Sequence, residues 1–391
     1  MAKKAKVAGE EVTNWLNRIK YAELVRNQAD KKFGYTRAQD QFEGDYDGTM
    51  PAFIRGLDVI PINEVYAYVR TFIPSVYSRD PYIAINAKTR DSIAGAKILE
   101  LAINAYWREL RLKHQMKRCI LDAIFAEGWM KTGYSAVFGS IEKPEGKPGL
   151  EAEEFIRNEE VFATRVSWRN MVRDPDAVFG IHDARYVAER IIRPLSAVRA
   201  SKIYKNTGTL EPNFVKQYDP ALEAKAVLHG EEEEFVVLWE ISDRDSEKVI
   251  VVAEGHDQFL RNDDWPYEGI EGFNYSLLRF NDLPDKPYAP NLISAWEPQL
   301  WEKIKMRSME MDHIKRFTRQ MSAEEGSISR NEMEKFRRAE TGSIILHKKG
   351  KQPPTPIQYP QIQTDIYQVE SRIDLDKDNI SGQPNAVRSA P

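Results

Sequence analysis

The chain has 391 residues and a single cysteine, Cys119. One thiol makes no intrachain disulfide framework and no cysteine-based zinc site. Such cysteine usage suits a reducing compartment. Cys119 falls in the apolar helical run Arg118-Cys119-Ile120-Leu121, where a buried structural thiol is expected rather than a nucleophile. No apolar run approaches the roughly 20 residues that span a bilayer. The basic opening Met1-Ala2-Lys3-Lys4-Ala5-Lys6 is not followed by the apolar stretch of a secretion signal, so a soluble protein is expected. Charge of one sign is scarce too. Sixty acidic and 56 basic side chains leave a formal net charge of −4, which excludes coating nucleic acid by bulk charge.

Motifs of catalysis are also missing. There is no Gly-x-x-x-x-Gly-Lys-Ser/Thr phosphate loop. His114, His182, His229, His256, His313 and His347 never fall at metal-ligand spacing. Gly133-Tyr134-Ser135-Ala136-Val137 lacks the final glycine of a nucleophile elbow. Asp374-Leu375-Asp376-Lys377-Asp378 opens like a calcium loop, but Asn379 replaces the turn glycine and Asn385 the bidentate glutamate. The best carboxylate group is Asp174-Pro175-Asp176 with His182 and Asp183. Two-metal chemistry could use it, yet Asp-Pro-Asp is ordinary turn chemistry. The expectation is no enzyme, no metal and no cofactor. A metal-dependent nucleic-acid-processing enzyme acting through Asp174, Asp176 and Asp183 is the alternative.

What is present is an ordered series of elements. Residues 11–50 read as helix then loop, closed by Gly44, Gly48 and Pro51. Residues 63–78 are an amphipathic helix, with Val65, Tyr66, Val69, Phe72 and Ile73 at helical spacing. Pro81-Tyr82-Ile83-Ala84-Ile85 alternates and predicts a short strand. Ile93 to Glu127 predicts one helix with Ile98, Leu101, Ala105, Leu112, Met116, Ile120 and Ile124 on its inner face, capped by Gly128. Short β-rich runs follow at Lys131–Phe138, Val161–Val166, Arg185–Ile192, Phe235–Ile241 and Val249–Ala253, giving an α+β body. Residues 231–285 hold 16 acidic side chains against four basic ones, densest at Glu231-Glu232-Glu233-Glu234. They read as a solvated loop or an acidic channel wall.

Asn291 to Ala323 forms one long helical pattern, started or kinked by Pro298. Such a helix would be about 50 Å long. Between positions 303 and 319, Lys303, Lys305, Arg307, Lys315, Arg316 and Arg319 outnumber Glu310 and Asp312. A helical piece at Asn331–Glu340 and a strand at Gly342–His347 come next. The basic stretch Lys348-Lys349-Gly350-Lys351-Gln352-Pro353-Pro354 follows. A second helix, Thr364–Ile380, returns with Ile366, Val369, Ile373 and Ile380 on one face.

This order resembles the portal proteins of tailed phages, podovirus type. Asn63-Glu64-Val65 through Pro81-Tyr82-Ile83 resembles the family's early helix and strand. Ala123 to Tyr134, AIFAEGWMKTGY, resembles the passage where a helix gives way to a strand. Trp168-Arg169-Asn170-Met171-Val172-Arg173-Asp174-Pro175-Asp176 with Asp183-Ala184-Arg185-Tyr186-Val187 resembles the wing. Val369-Glu370-Ser371-Arg372-Ile373-Asp374 and Ile380-Ser381-Gly382-Gln383-Pro384 resemble the returning stem helix entering the channel loop. The likeness covers roughly residues 55–391, and its motifs count as an ordered set.

The resemblance implies an α+β portal fold. Its parts are an N-terminal arm (1–55), a wing (56–288), an outgoing stem helix (289–323), a clip (324–363), a returning stem helix (364–380) and a channel loop (381–391). Family members continue into a crown, so the crown is expected to be absent or truncated. The implied function is a structural ring, twelvefold by resemblance, through which double-stranded DNA is packaged and ejected; another virion adaptor or scaffold protein is a further alternative. The implied partners are the terminase large subunit, a head-completion or tail adaptor, the major capsid protein and scaffold. The implied location is the portal vertex of the virion, with assembly in the host cytoplasm. Lys303, Lys305, Lys315, Arg316, Arg319, Gln383, Asn385 and Arg388 are the candidate DNA-channel residues. They would hold phosphates weakly and without sequence preference. Arg330, Lys335, Arg337, Arg338, Lys348 and Lys349 are the candidate docking residues for motor and adaptor.

Overall fold

The structure, a computed structural model, describes residues 2–46, 48, 50–51, 59–140, 154–214, 234–266, 272–317, 321–338, 346–353, 355–356 and 365–382. It is a mixed α+β chain that divides into two compact units. One comprises Met1–Gln39 and Val65–Ser294, the other Asp40–Glu64 and Ala295–Pro391.

The first unit holds two antiparallel sheets. Strands β1 (Gly128–Ser140), β2 (Glu154–Val166) and β8 (Tyr275–Leu278) form a three-stranded sheet in the order β2-β1-β8. Strands β3 (Met171–Arg173), β4 (Tyr186–Pro194), β5 (Phe235–Asp243), β6 (Lys248–Ala253) and β7 (Arg261–Asp264) form a five-stranded meander in sequence order. Alternation along β5 and β6 explains how the meander is covered. Val237, Trp239 and Ile241 join Ile250 and Val252 on one face, against Val12, Trp15, Ile19 and Ala22 of helix α1 (Ala2–Phe33). Those four positions follow the helical i, i+3, i+7, i+10 stripe. Val236, Leu238, Val251 and Ala253 face the other way, against Leu195 and Val198 of helix α6 (Leu195–Ala200). Burial on both faces is why β5 and β6 read as nearly continuous apolar runs.

The five β-rich runs of the sequence fall on β1, β2, β4, β5 and β6. Other expectations are corrected. Of the segment 1–55 expected as an N-terminal arm, Met1–Gln39 belongs to the first unit, where α1 supplies a core wall, and the residues from Asp40 on belong to the second. The helix expected from Ile93 to Glu127 is two, α4 (Ile93–Glu109) and α5 (Leu112–Phe125). They are joined through Arg111 in the left-handed region at φ 51°. Cys119, Ile120 and Ile124 of α5 are buried as expected, but Ile98 and Leu101 of α4 are exposed. Gly128 does not cap a helix. It opens β1, and a Cβ there would lie 2.3 Å from the Cys119 carbonyl oxygen.

Pro81–Ile85 is extended but joins no sheet. Its partners are side chains of α4. Asn104 donates to the Ile83 carbonyl (2.9 Å) and accepts from the Ile83 amide (3.1 Å), while Glu100 accepts from the Ile85 amide (3.1 Å) and the Tyr82 hydroxyl (2.6 Å). A helix side chain offering both a donor and an acceptor replaces the neighbouring strand that the alternation suggested.

In the second unit α7 (Glu297–Phe317) is preceded by turns at 292–296. Pro298 therefore sits in the first helical turn, where its missing N–H costs nothing. Its 21 residues span about 31 Å, shorter than expected. After β9 (Met321–Ser322) come α8 (Arg330–Arg338) and β10 (Thr355–Pro356), and α9 (Asp365–Ser381) returns. β9 and β10 pair antiparallel, Ser322 opposite Thr355, and Ile328 bridges His347. Of the strand expected at Gly342–His347, residues 342–345 lie outside the described residues.

Candidate functional site

The outgoing helix of the second unit, α7, carries four of the candidate residues, Lys303, Lys305, Lys315 and Arg316. Lys303, on α7, is not a free cation. Its ammonium donates to Asp374 of α9 (2.6 Å) and pairs with Glu64 Oε1 (2.9 Å). Lys377, one turn beyond Asp374, donates to Glu64 Oε2 (2.5 Å) and lies 3.4 Å from Asp374 Oδ1. Two lysines and two carboxylates thus make a closed, charge-balanced knot. Burial alone would push Glu64 up, but the two lysines outweigh it and hold its pKa below the ordinary value. Asp374 is likewise lowered against burial by Lys303. The Lys303 ammonium is held above its ordinary value, the carboxylates overcoming burial. Lys303, named among the DNA-channel candidates, ties the outgoing helix to the returning one. Glu64 and Lys377, missed in the sequence, complete the tie. Only the i, i+3 spacing of Asp374 and Lys377 was legible there.

Lys305 is half-buried on α7. Lys315 and Arg316 belong to its last turn. Arg319, Gln383, Asn385 and Arg388 lie outside the described residues. Among docking candidates, Arg330, Lys348 and Lys349 are exposed, and Lys335, Arg337 and Arg338 are on α8. Lys351 is different: it donates to the Glu325 carbonyl and helps close the turn at Glu324. The block Glu231–Glu233 lies outside the described residues.

The carboxylates considered for metal chemistry are engaged elsewhere. Asp174 accepts two hydrogen bonds from the Arg185 guanidinium, at 2.5 and 3.0 Å, and Asp176 accepts a third at 2.7 Å. Burial opposes the Asp174 charge, but Arg185 and two backbone amides hold its pKa low. Asp183 instead caps the Val178 and Phe179 amides, at 2.9 and 3.1 Å. Arg185 bridges Asp174 and Asp176, while Asp183 faces other partners. Among the described residues no group of three His, Cys, Asp or Glu side chains is placed to hold an ion. A cleft of about 140 Å³ beside them is lined by Arg18, Tyr21, Asp176, Arg185 and Asp245 among others. It contains no nucleophile with an adjacent base. The Cys119 thiol is buried and pushed up to about 12 by desolvation, which keeps it protonated and inert.

Two further charged groups hold the first unit together. Arg173, 1% exposed, donates twice to Glu127 (2.7 and 2.6 Å) and lies 4.5 Å from the centre of the Tyr288 ring. Lys131 of β1 donates to Glu189 of β4 and Glu240 of β5, 2.7 Å each. The two glutamates are opposite each other in the β4–β5 register, so this lysine relieves a like-charge pair and joins the two sheets. No family model matches the chain, and no curated protein is similar to it. No helix among the described residues is long and apolar enough to cross a membrane.

Proposed function

We propose that the chain is a structural subunit of a viral portal ring. The ring is the channel for packaging and ejecting double-stranded DNA at the portal vertex of a capsid, and it is not an enzyme. The observation that carries the reading is the helical out-and-back of the second unit. α7 leaves, a small α/β excursion is clasped at its neck by β9 and β10, and α9 returns to be tied to α7 through Lys303 and Asp374. A conduit needs rigid walls and no reacting group. The engagement of Asp174, Asp176 and Asp183 in hydrogen bonds supports that reading over metal-dependent nucleic-acid processing. Basic side chains stand along α7, and basic and amide residues follow α9 in the sequence. Such chemistry suits transient phosphate contact from Lys305, Lys315, Arg316, Arg319, Gln383, Asn385 and Arg388. The excursion, in this reading, is the clip. Its exposed Arg330, Lys348 and Lys349, with Lys335, Arg337 and Arg338, receive the terminase large subunit and later the tail adaptor. Major capsid protein and scaffold bind elsewhere on the ring.

The test is a binding titration with the packaging motor of the same virus. Reversing Arg337 and Arg338 to glutamate leaves self-assembly intact and weakens motor binding about tenfold or more, with the loss steepening at low salt. Unchanged motor affinity at every salt concentration would sink the docking assignment.

A further inference from the structure

Burying a charge is costly unless a partner offsets it. The buried carboxylates of the first unit follow that rule with one exception. Glu100 is paired with Lys97, Asp122 with Arg165, Glu127 with Arg173 and Asp174 with Arg185. Asp243, the last residue of β5, is only 8% exposed and has no such partner. The Ser246 hydroxyl donates to its Oδ2 at 2.5 Å. Its Oδ1 receives no hydrogen bond, and among the described residues no cationic side chain lies within ion-pair distance of either oxygen. Asp243 lines the cleft of about 140 Å³ between α1, the turn at Asp174–Asp176 and the turn that follows β5. The two arginines of that cleft are engaged elsewhere. Arg185 is held by Asp174 and Asp176, and Arg18 lies over the Trp15 ring at 4.8 Å.

We infer that this cleft binds an organic cation, a guanidinium or primary ammonium group, with Asp243 and Asp245 as its anionic partners. The site does not depend on the portal reading and holds whether or not the chain forms a ring. Its charge calls for a cation: four aspartates and two arginines line it, which leaves two negative charges without an answer. Its walls suit an organic one. Tyr21 of α1, 58% exposed, also lines the cleft and offers the face of an aromatic ring to a cation. Tyr186, buried and directly opposite Asp243 in the β4–β5 register, closes the inner side. The volume admits several waters, so a group of guanidinium size fits. A metal ion fits less well. The two arginines repel a compact double charge more than a single delocalised one, and among the described residues no three ligating side chains converge on an ion. The same chemistry belongs to a free polyamine and to an arginine or lysine side chain of another chain.

The test is a ligand-observed NMR titration of the full-length chain at low salt. The probes are putrescine, for a free amine, and a capped Gly-Arg-Gly tripeptide, for a side chain. A capped Gly-citrulline-Gly tripeptide supplies the same shape without the charge. The variants are Asp243→Asn, which keeps the shape and the Ser246 hydrogen bond, and Asp245→Asn and Tyr21→Ser. The last two change exposed side chains, so they keep the wild-type melting temperature even if Asp243→Asn does not. Wild type binds at least one charged probe and not the citrulline peptide. Asp243→Asn weakens that binding about tenfold or more, and each of the other two variants about threefold. Tighter binding of putrescine assigns the cleft to a free amine, and tighter binding of the arginine peptide assigns it to a side chain of another chain. Either result supports the site. Binding of the citrulline peptide as tight as that of the arginine peptide overturns it. So does an affinity that stays the same in all three variants, or the absence of binding by both charged probes up to about 20 mM.

Discussion

Glu64 receives two ammonium groups, one on each carboxylate oxygen. The consequence is a defined pH window for the second unit. Glu64 and Asp374 have lowered folded pKa values. Their contribution is complete above the unfolded carboxylate range and is lost as pH falls through the folded values. Lys303 has a raised folded value. Its contribution is complete below the unfolded lysine value and is lost as pH rises through the folded one. The knot is therefore whole between about pH 5 and 10. Glu64→Gln leaves two lysines short of a counter-charge and costs about 1–3 kcal/mol at neutral pH, less than for a fully buried pair. It also flattens the stability slope below about pH 5. Urea melts of both proteins between pH 3 and 8 check this, and parallel slopes would contradict it. Gly128 offers a second test at this scale. With the Cys119 carbonyl oxygen 2.3 Å from a would-be Cβ, Gly128→Ala forces α5 away from β1 and costs about 3 kcal/mol or more, read as a lowered melting temperature. At the residue scale the sequence discloses what is local. The apolar neighbours of Cys119 foretell its burial. The partners of Lys303 do not show, because Glu64 lies far away in the chain and no periodicity connects them.

At the scale of elements, the extended segment 82–85 depends on α4, and two hydrogen bonds of Asn104 hold Ile83. Asn104→Ala removes both and costs about 1–2 kcal/mol. It also raises cleavage within residues 79–87 in limited proteolysis, while cleavage elsewhere stays as in wild type. Equal protection of that segment in both proteins would contradict the account. The same segment shows why an extended stretch was legible and its setting was not. Alternation reports the backbone of Pro81–Ile85 faithfully, but it carries no information on whether a strand or a helix side chain supplies the partners. The β-rich runs fared better, because the dense β-branched residues of β5 and β6 report both conformation and burial. Arg111 hid the break between α4 and α5, since a left-handed arginine leaves no mark in an apolar pattern that continues on either side. The length of α7 was overread for a related reason: the apolar residues at 292–296 keep helical spacing while forming turns.

For the whole molecule, what the chain leaves unburied matters as much as what it buries. The first unit closes three apolar clusters around two sheets. It nevertheless turns the strongest apolar stripe of α4 outward. The α+β class was legible from the order of runs, whereas the division into two units was not. The contacts that set it, between α1 and the meander and between α7 and α9, are long-range. The central claim, that copies of this chain form a channel-bearing ring, is tested most directly by electron microscopy of the purified full-length protein. The account predicts rings with a central hole, twelve copies of 45.1 kDa by the portal resemblance. Particles that remain single 45.1 kDa chains at high concentration and across salt conditions, with no ring in any field, would contradict it.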